Sequence, residues 1–217
     1  MNERSFISGE ELRMTVSSPT RGEHTRTAIL QAAHDLFIKQ GYHGTSMRQI
    51  AQQASLALGG VYNHFASKEQ VFEAVFLSFH PYHEVFPLIA AAQGATLEQL
   101  VQDAIRRMVQ AVEGRPDFMN LMFIEMVEFK SVHARQLFAT LFPQGMQIMQ
   151  HLVGSYPEQI RSIPSPMVVR TFLGLFFGYY LTEIAFSPAA PPEFRENAIQ
   201  HFVDIYLHGI LALSDIK

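Results

Sequence analysis

Residues 45–68 read TSMRQIAQQASLALGGVYNHFASK, and this stretch decides the fold because its spacing describes two short helices with a tight link. Thr45 and Ser46 supply hydroxyls that cap free backbone amides, and Gln49, three residues past Ser46, completes a capping box. Met47, Ile50, Ala51 and Ala54 recur at steps of three and four and form one apolar stripe. Arg48, Gln49, Gln52 and Gln53 point elsewhere. After the link Ser55, Leu56 and Ala57 comes a second helix, about 57–64, which carries Gly59 and Gly60 and ends in Val61, Tyr62, Asn63, His64 and Phe65. A glycine costs about 1 kcal/mol against alanine in a helix, so two in one short helix need a reason. A backbone pressed against a DNA strand supplies one; a weakly stable connecting turn is the alternative.

Working outward, the apolar residues Ile29, Ala32, Ala33, Leu36 and Phe37 fall at i, i+3, i+4, i+7 and i+8, which predicts a helix over 25–40 that Gly41 stops. Ser67, with Gln70 at the capping-box offset, opens a further helix whose buried side is Val71, Phe72, Val75, Phe76 and Phe79. Helix, helix-turn-helix and helix follow in the order a DNA-binding head requires.

Over roughly 25–79 the chain resembles the TetR-type bacterial transcriptional repressors. The resemblance is carried by Gly41-Tyr42, Thr45-Ser46, Ile50-Ala51, Ala54, Gly59, Val61-Tyr62, His64-Phe65 and Ser67-Lys68-Glu69. It implies that Thr45, Tyr62, His64 and Lys68 lie near DNA phosphates. It places Arg48, Gln49, Leu58, Gly60 and Asn63 near base edges or the adjoining backbone, with Ser46 and Gly59 on the same surface. Ser55, Ala57 and Leu58 stand where many members have Gly, Ser and Lys, and Gly60 replaces a common Ser or Thr. Each change removes a hydroxyl or cationic contact.

The 217 residues are 48% apolar, enough for a sizeable core, and include no cysteine, which excludes disulfides and thiol redox sensing. The net charge of −4 divides unevenly: residues 1–68 hold seven Lys and Arg against five acids, and residues 69–217 hold nine against fifteen. The cationic part is the expected head, although a surplus of two predicts only modest nonspecific DNA affinity. Residues 1–20 show no period and no secretory signal and read as a flexible tail on a cytoplasmic protein. Arg21 and Arg26 are either phosphate-reaching arms or ordinary solvated arginines.

The expected organisation is all-α with about nine helices: tail 1–20, DNA-binding head 21–68, connecting helix and hinge 69–87, and a body over 88–217. HPYHEVFP, residues 80–87, carries two prolines and predicts a kink or loop between head and body. Its His80 and His83 are too few for a metal site, so no metal or cofactor is expected. The body reads as helices over 96–113, 117–129, 132–154, 166–186 and 193–213, broken at Gly114, Gly154 and 187–192. The second of these is apolar nearly all round, which predicts a central place for residues 117–129.

Met122, Phe123, Met126 and Phe129, with Phe138, Phe142, Met146, Phe172 and Phe176, either line an adaptable hydrophobic cavity or fill a core. Glu125, on the same stripe, needs a buried partner or a ligand, and Glu128 lies nearby. TFLGLFFGYYLT, residues 171–182, is uncharged but short for a bilayer span and is bracketed by Arg170 and Glu183. Gly174 and Gly178 leave a smooth strip beside Phe172 and Leu175. With Phe202, Ile205 and Tyr206 of the last helix this predicts a four-helix homodimer interface without membrane contact.

Two heads on such a dimer read a palindromic operator in double-stranded DNA, and a small hydrophobic effector in the body releases them. G-x-S-x-G, P-loop, dinucleotide-glycine, H-E-x-x-H and paired E-x-x-H motifs do not occur, which argues against an enzyme. A helical carrier of hydrophobic molecules without DNA binding is the alternative, and it leaves residues 45–68 unexplained.

Overall fold

The computed structural model describes residues 20–210 except 114, 116, 155, 157–160 and 187–188. The expected tail over residues 1–20 therefore lies outside the described residues save Thr20. Helices are the only regular elements among the described residues.

The first helix starts earlier than its apolar period indicates. The Thr20 hydroxyl accepts the Glu23 N–H and the Glu23 carboxylate accepts the Thr20 N–H, a capping box that opens α1, Arg21–Gly44. Gly41 does not end this helix outright. At φ 75 and ψ 172 it breaks the rod, and one further turn carries Tyr42 against Phe37 and Phe72. The capping box expected at Ser46 and Gln49 is present and opens α2, Met47–Gln53. Ser55 turns the chain at φ 57. The short helix α3, Leu58–Tyr62, follows, and α4, Lys68–Phe79, is capped by Ser67.

Ile29, Phe37, Ile50, Val61, Val71, Phe72, Val75 and Phe76 close the head's core, which runs on without interruption into Leu121 and Leu137 of the body. The head is thus welded to the body rather than tethered to it.

The body consists of α5, Tyr82–Ala90; α6, Leu97–Glu113; α7, Asp117–Glu128; α8, Val132–Val153; α9, Ser165–Phe186; α10, Pro192–Arg195; and α11, Ala198–Ile210. A second core gathers Ile105, Met108 and Val112 of α6, Phe118 and Met119 of α7, Phe176 and Tyr180 of α9, and Val203 and Leu207 of α11.

Of the kink or loop expected over residues 80–87 the kink is found: α4 and α5 meet at His80 and Pro81, Pro81 caps α5, and Pro87 sits inside it. Two expectations need correction. Residues 193–213 are not one helix, because Asn197 at φ 54 separates α10 from α11; residues 211–213 lie outside the described residues. Nor is α7 central on all sides, since Met126 is 55% and Val127 72% exposed. By length and composition α9 meets the requirement for a bilayer span, but its apolar character is also that of a helix packed on α8 and α11.

A Cβ at residue 41 would meet nothing within 4 Å, so Gly41→Ala probes the backbone alone. Its conformation is essentially restricted to glycine. Urea denaturation is expected to show a loss of roughly 1–3 kcal/mol with an unchanged slope.

Candidate nucleic-acid interface and effector cavity

The exterior of the head is built from the ends of α2 and α3. Val61 and Phe65 anchor α3 inward, which turns Leu58 and Tyr62 outward at 37% and 50% exposure. Ser46, Arg48, Gly59 and Asn63 are exposed beside them, and Gln49, Gly60 and His64 are half-buried. The two glycines have no internal reason for lacking a side chain. A Cβ on Gly59 would meet nothing within 4 Å, and one on Gly60 only Leu56 at 3.9 Å.

Two residues expected on this surface are engaged within the chain, Thr45 buried and Lys68 half-buried. Thr45 is 2% exposed, and its hydroxyl donates to the Gly41 carbonyl at 2.9 Å. Lys68 Nζ donates to the carbonyls of Tyr42 at 2.8 Å and Thr45 at 2.7 Å and lies 4.1 Å from the centroid of the Tyr42 ring. It ties the start of α4 to the end of α1 through two carbonyls and a π-face. Arg26 rests 4.5 Å from the centre of the Phe65 ring.

Behind the head, Phe129 stacks on Phe72 with centroids 4.5 Å apart and meets Tyr42 at 4.8 Å and His133 at 5.0 Å. His43 of the head reaches Glu128 at 2.5 Å. Phe129 is therefore a joint between head and body and not a cavity residue. Glu125 is fully buried, and its Oε1 accepts the His133 and Ala134 N–H groups at 2.7 and 3.0 Å while Oε2 meets His133 Nδ1 at 2.8 Å. The physical reason is local: Ser131 stands left-handed at φ 60 and makes no side-chain cap, so Glu125 caps α8 from α7. It is not a ligand residue.

A cavity of about 400 Å³ lies between α4 and the body helices. Met122, Phe138, Phe142, Phe172 and Phe176 line it, as expected. Phe123 and Met126 do not, being 39% and 55% exposed on the outer face of α7. Met146 does not either, because the inward stripe of α8 runs through Phe138, Leu141, Phe142, Gly145, Ile148 and Met149. The remaining wall comes from α5 and α6, including Val85, Phe86, Ile89, Leu97, Val101 and Met108. Their three- and four-residue spacing is visible in the sequence but equals that of ordinary packing. Among the described residues no Asp, Glu, Lys or Arg lines the cavity, and no group of side chains could hold a metal ion. His80 is on the wall, and burial, aided by nearby His83, lowers its pKa to about 4.

The residues expected at a dimer interface divide. Phe172 and Tyr206 line the cavity, and the Tyr206 hydroxyl donates to the Val168 carbonyl at 3.1 Å. These two point inward within one chain and are removed from the outer face. Leu175 is partly buried in the second core, and Gly178 faces Phe202 of the same chain at 3.8 Å. Gly174 is open, and Ile205 is 75% exposed, alongside Leu181 and Ile184 at 45% and 42%.

Residues 29–75 match the family "Bacterial regulatory proteins, tetR family". The uncharacterized HTH-type transcriptional regulator YvkB of Bacillus subtilis is 24% identical over 204 residues, covering 87% of this chain and 98% of that protein. The HTH-type transcriptional regulator UidR of Escherichia coli is 40% identical over 58 residues, 27% of this chain and 30% of its own length, so that likeness is confined to a fraction of both. Among solved structures, NalD, described as the secondary repressor of the MexAB-OprM multidrug efflux pump in Pseudomonas aeruginosa, has the same fold. Its TM-score is 0.65 at 20% identity, covering 88% of this chain and 99% of that one.

Glu125→Ala strands two backbone N–H groups and an imidazole, so denaturant unfolding is expected to show a loss of about 3 kcal/mol. For His80 the folded pKa, about 4, lies below the ordinary 6.5. Its neutral form therefore supports folding fully above pH 6.5, and that support is lost as pH falls toward 4, by up to roughly 3 kcal/mol. Urea midpoints of the wild type should fall more steeply between pH 7 and 4 than those of His80→Phe.

Proposed function

Because the chain belongs to the TetR family of bacterial helix-turn-helix transcriptional regulators, we propose that it is a cytoplasmic, homodimeric repressor released from a palindromic operator by a small hydrophobic effector. Regulators of this family are not enzymes. The observation that carries the DNA-binding surface is the outward face of α3, where Gly59 and Gly60 lack side chains with no internal neighbour to demand it. A closely approaching phosphate backbone is the partner that demands it. Ser46, Arg48, Gln49, Leu58, Tyr62, Asn63 and His64 surround that spot, with Arg48 and Asn63 able to reach base edges and Tyr62 and His64 phosphates.

Dimerisation presents two such faces about 34–36 Å apart, one helical turn of DNA. The outer stripe of Gly174, Leu181 and Ile184 on α9 and Ile205 on α11 is the surface that pairs across the two-fold axis. The effector occupies the cavity behind α4 and acts by favouring a conformation whose heads are wrongly spaced. Each tenfold loss of operator affinity requires about 1.4 kcal/mol of such preference. NalD's description as a repressor supports the same sign of control here.

A band-shift assay with the DNA flanking the protein's own gene tests this reading. A sequence-specific, salt-sensitive shift is expected, weakened at least tenfold in Tyr62→Ala or Asn63→Ala with the fold intact by circular dichroism. No shift at low salt would overturn the regulator and leave a carrier of hydrophobic molecules. Ile205→Glu is expected to yield monomers in sedimentation and to abolish the shift; a monomeric variant with full operator affinity would refute the paired-head arrangement.

A further inference from the structure

The effector reading leaves open which hydrophobic molecules the cavity accepts, and its wall bears on that. Among the described residues none of its side chains is a carboxylate, ammonium or guanidinium. A ligand charge buried there would lose its hydration without a counter-ion, at a cost of several kcal/mol. The polar side chains on the wall are His80, Tyr82 and Tyr206. Tyr206 is already committed as a donor to the Val168 carbonyl.

His80 is different. Its Nδ1 accepts the Tyr82 N–H at 3.3 Å, which puts the ring proton of the neutral imidazole on Nε2. That N–H has no hydrogen-bond partner among the described residues. The rings of Phe76 and Phe118 hold the imidazole edge-on at 5.7 and 5.0 Å, so its direction is fixed by packing. His80 is also the C-cap of α4, the helix that follows the DNA-binding unit, and it joins α5 with a single proline between them.

Resting on the effector reading above, we propose that the cavity selects uncharged, apolar molecules bearing one hydrogen-bond acceptor, a ketone, ester or ether oxygen, and that His80 Nε2–H binds that oxygen. A carboxylic acid is the wrong ligand, because its anion brings a charge that no wall residue matches. Burial reinforces this, since it keeps His80 neutral at physiological pH and disfavours the imidazolium that an anion would require. An acceptor seated on His80 also touches the cap of α4, so occupancy is registered where the head joins the body.

The test uses the full-length protein at pH 7.5 with N-phenylnaphthylamine, a neutral apolar fluorophore, as the displaceable probe. The competitors are biphenyl, acetylbiphenyl and biphenyl carboxylate, one scaffold bearing nothing, a ketone or an anion. The ketone is expected to displace the probe at roughly tenfold lower concentration than biphenyl, in keeping with one buried hydrogen bond, and the carboxylate at the highest concentration of the three. In His80→Phe the ketone's advantage over biphenyl should vanish while biphenyl itself binds unchanged. Tyr82→Phe should keep the advantage.

Should His80→Phe fail to fold, the imidazole nitrogen resonances of wild-type His80 serve instead: the ketone must shift Nε2 and biphenyl must not. A carboxylate that binds as tightly as the ketone overturns the proposal. So does a ketone preference that survives His80→Phe or leaves Nε2 unmoved, or a protein that binds neither probe nor competitor; the last also sinks the effector reading. A ketone that binds through His80 yet leaves the operator shift untouched refutes induction while the ligand class stands.

Discussion

The aromatic contact between Phe129 and Phe72 holds the architecture together, because it is where the head and the body share one core. Phe72 is fully buried, and Tyr42 leans on both rings. Lys68 then sits on the outer face of Tyr42 while holding the carbonyls of Tyr42 and Thr45. A short chain of contacts thus runs from the end of α7 to the loop before α2. Well-packed interiors deform little, so displacement at one end is passed on rather than absorbed. His43 and Glu128 add an exposed clasp across the same seam, but a solvated pair of this kind contributes much less than the buried rings.

Polarity is distributed to keep this joint and the cavity apart. Glu125 is consumed by capping α8, and Asp103 of α6, which does not line the chamber, accepts from Arg107, the Gln93 N–H and Arg106, which lowers its pKa to about 2. The chamber is left with aliphatic and aromatic walls. Its size is that of an ordinary small-molecule site, and its helices α5, α6, α8 and α9 contribute side chains of varied length, including Met108, Met122 and Met149, which adapt to different shapes.

Features set by neighbours in sequence were legible before any coordinates. Ser46 and Gln49 are three residues apart, and their reciprocal hydrogen bonds form wherever a helix starts there. The stripe Ile29 to Phe37 and the stripe Val71 to Phe76 are buried as their spacing requires. Features set by distant partners were not. Nothing local marks Lys68 as a ligand for two carbonyls 26 and 23 residues back, so its charge reads as available to phosphate. Glu125 looks like a misplaced charge until the left-handed turn at Lys130 and Ser131 brings the start of α8 against it. At residues 80–87 the two prolines left a kink and a loop equally open, and Pro81 decides between them by capping α5 directly after α4. For Phe172 and Tyr206 the spacing marked an apolar face without saying whether it turns inward or outward.

The cap that Glu125 places on α8 has a mechanical consequence. With its first turn pinned to α7, α8 cannot slide along its axis and can only swing about that end. A helix of 22 residues is about 33 Å long, so a tilt of roughly 5° moves its far end by about 3 Å while the pinned end stays put. The chamber is therefore elastic at the end remote from the head and stiff beside it.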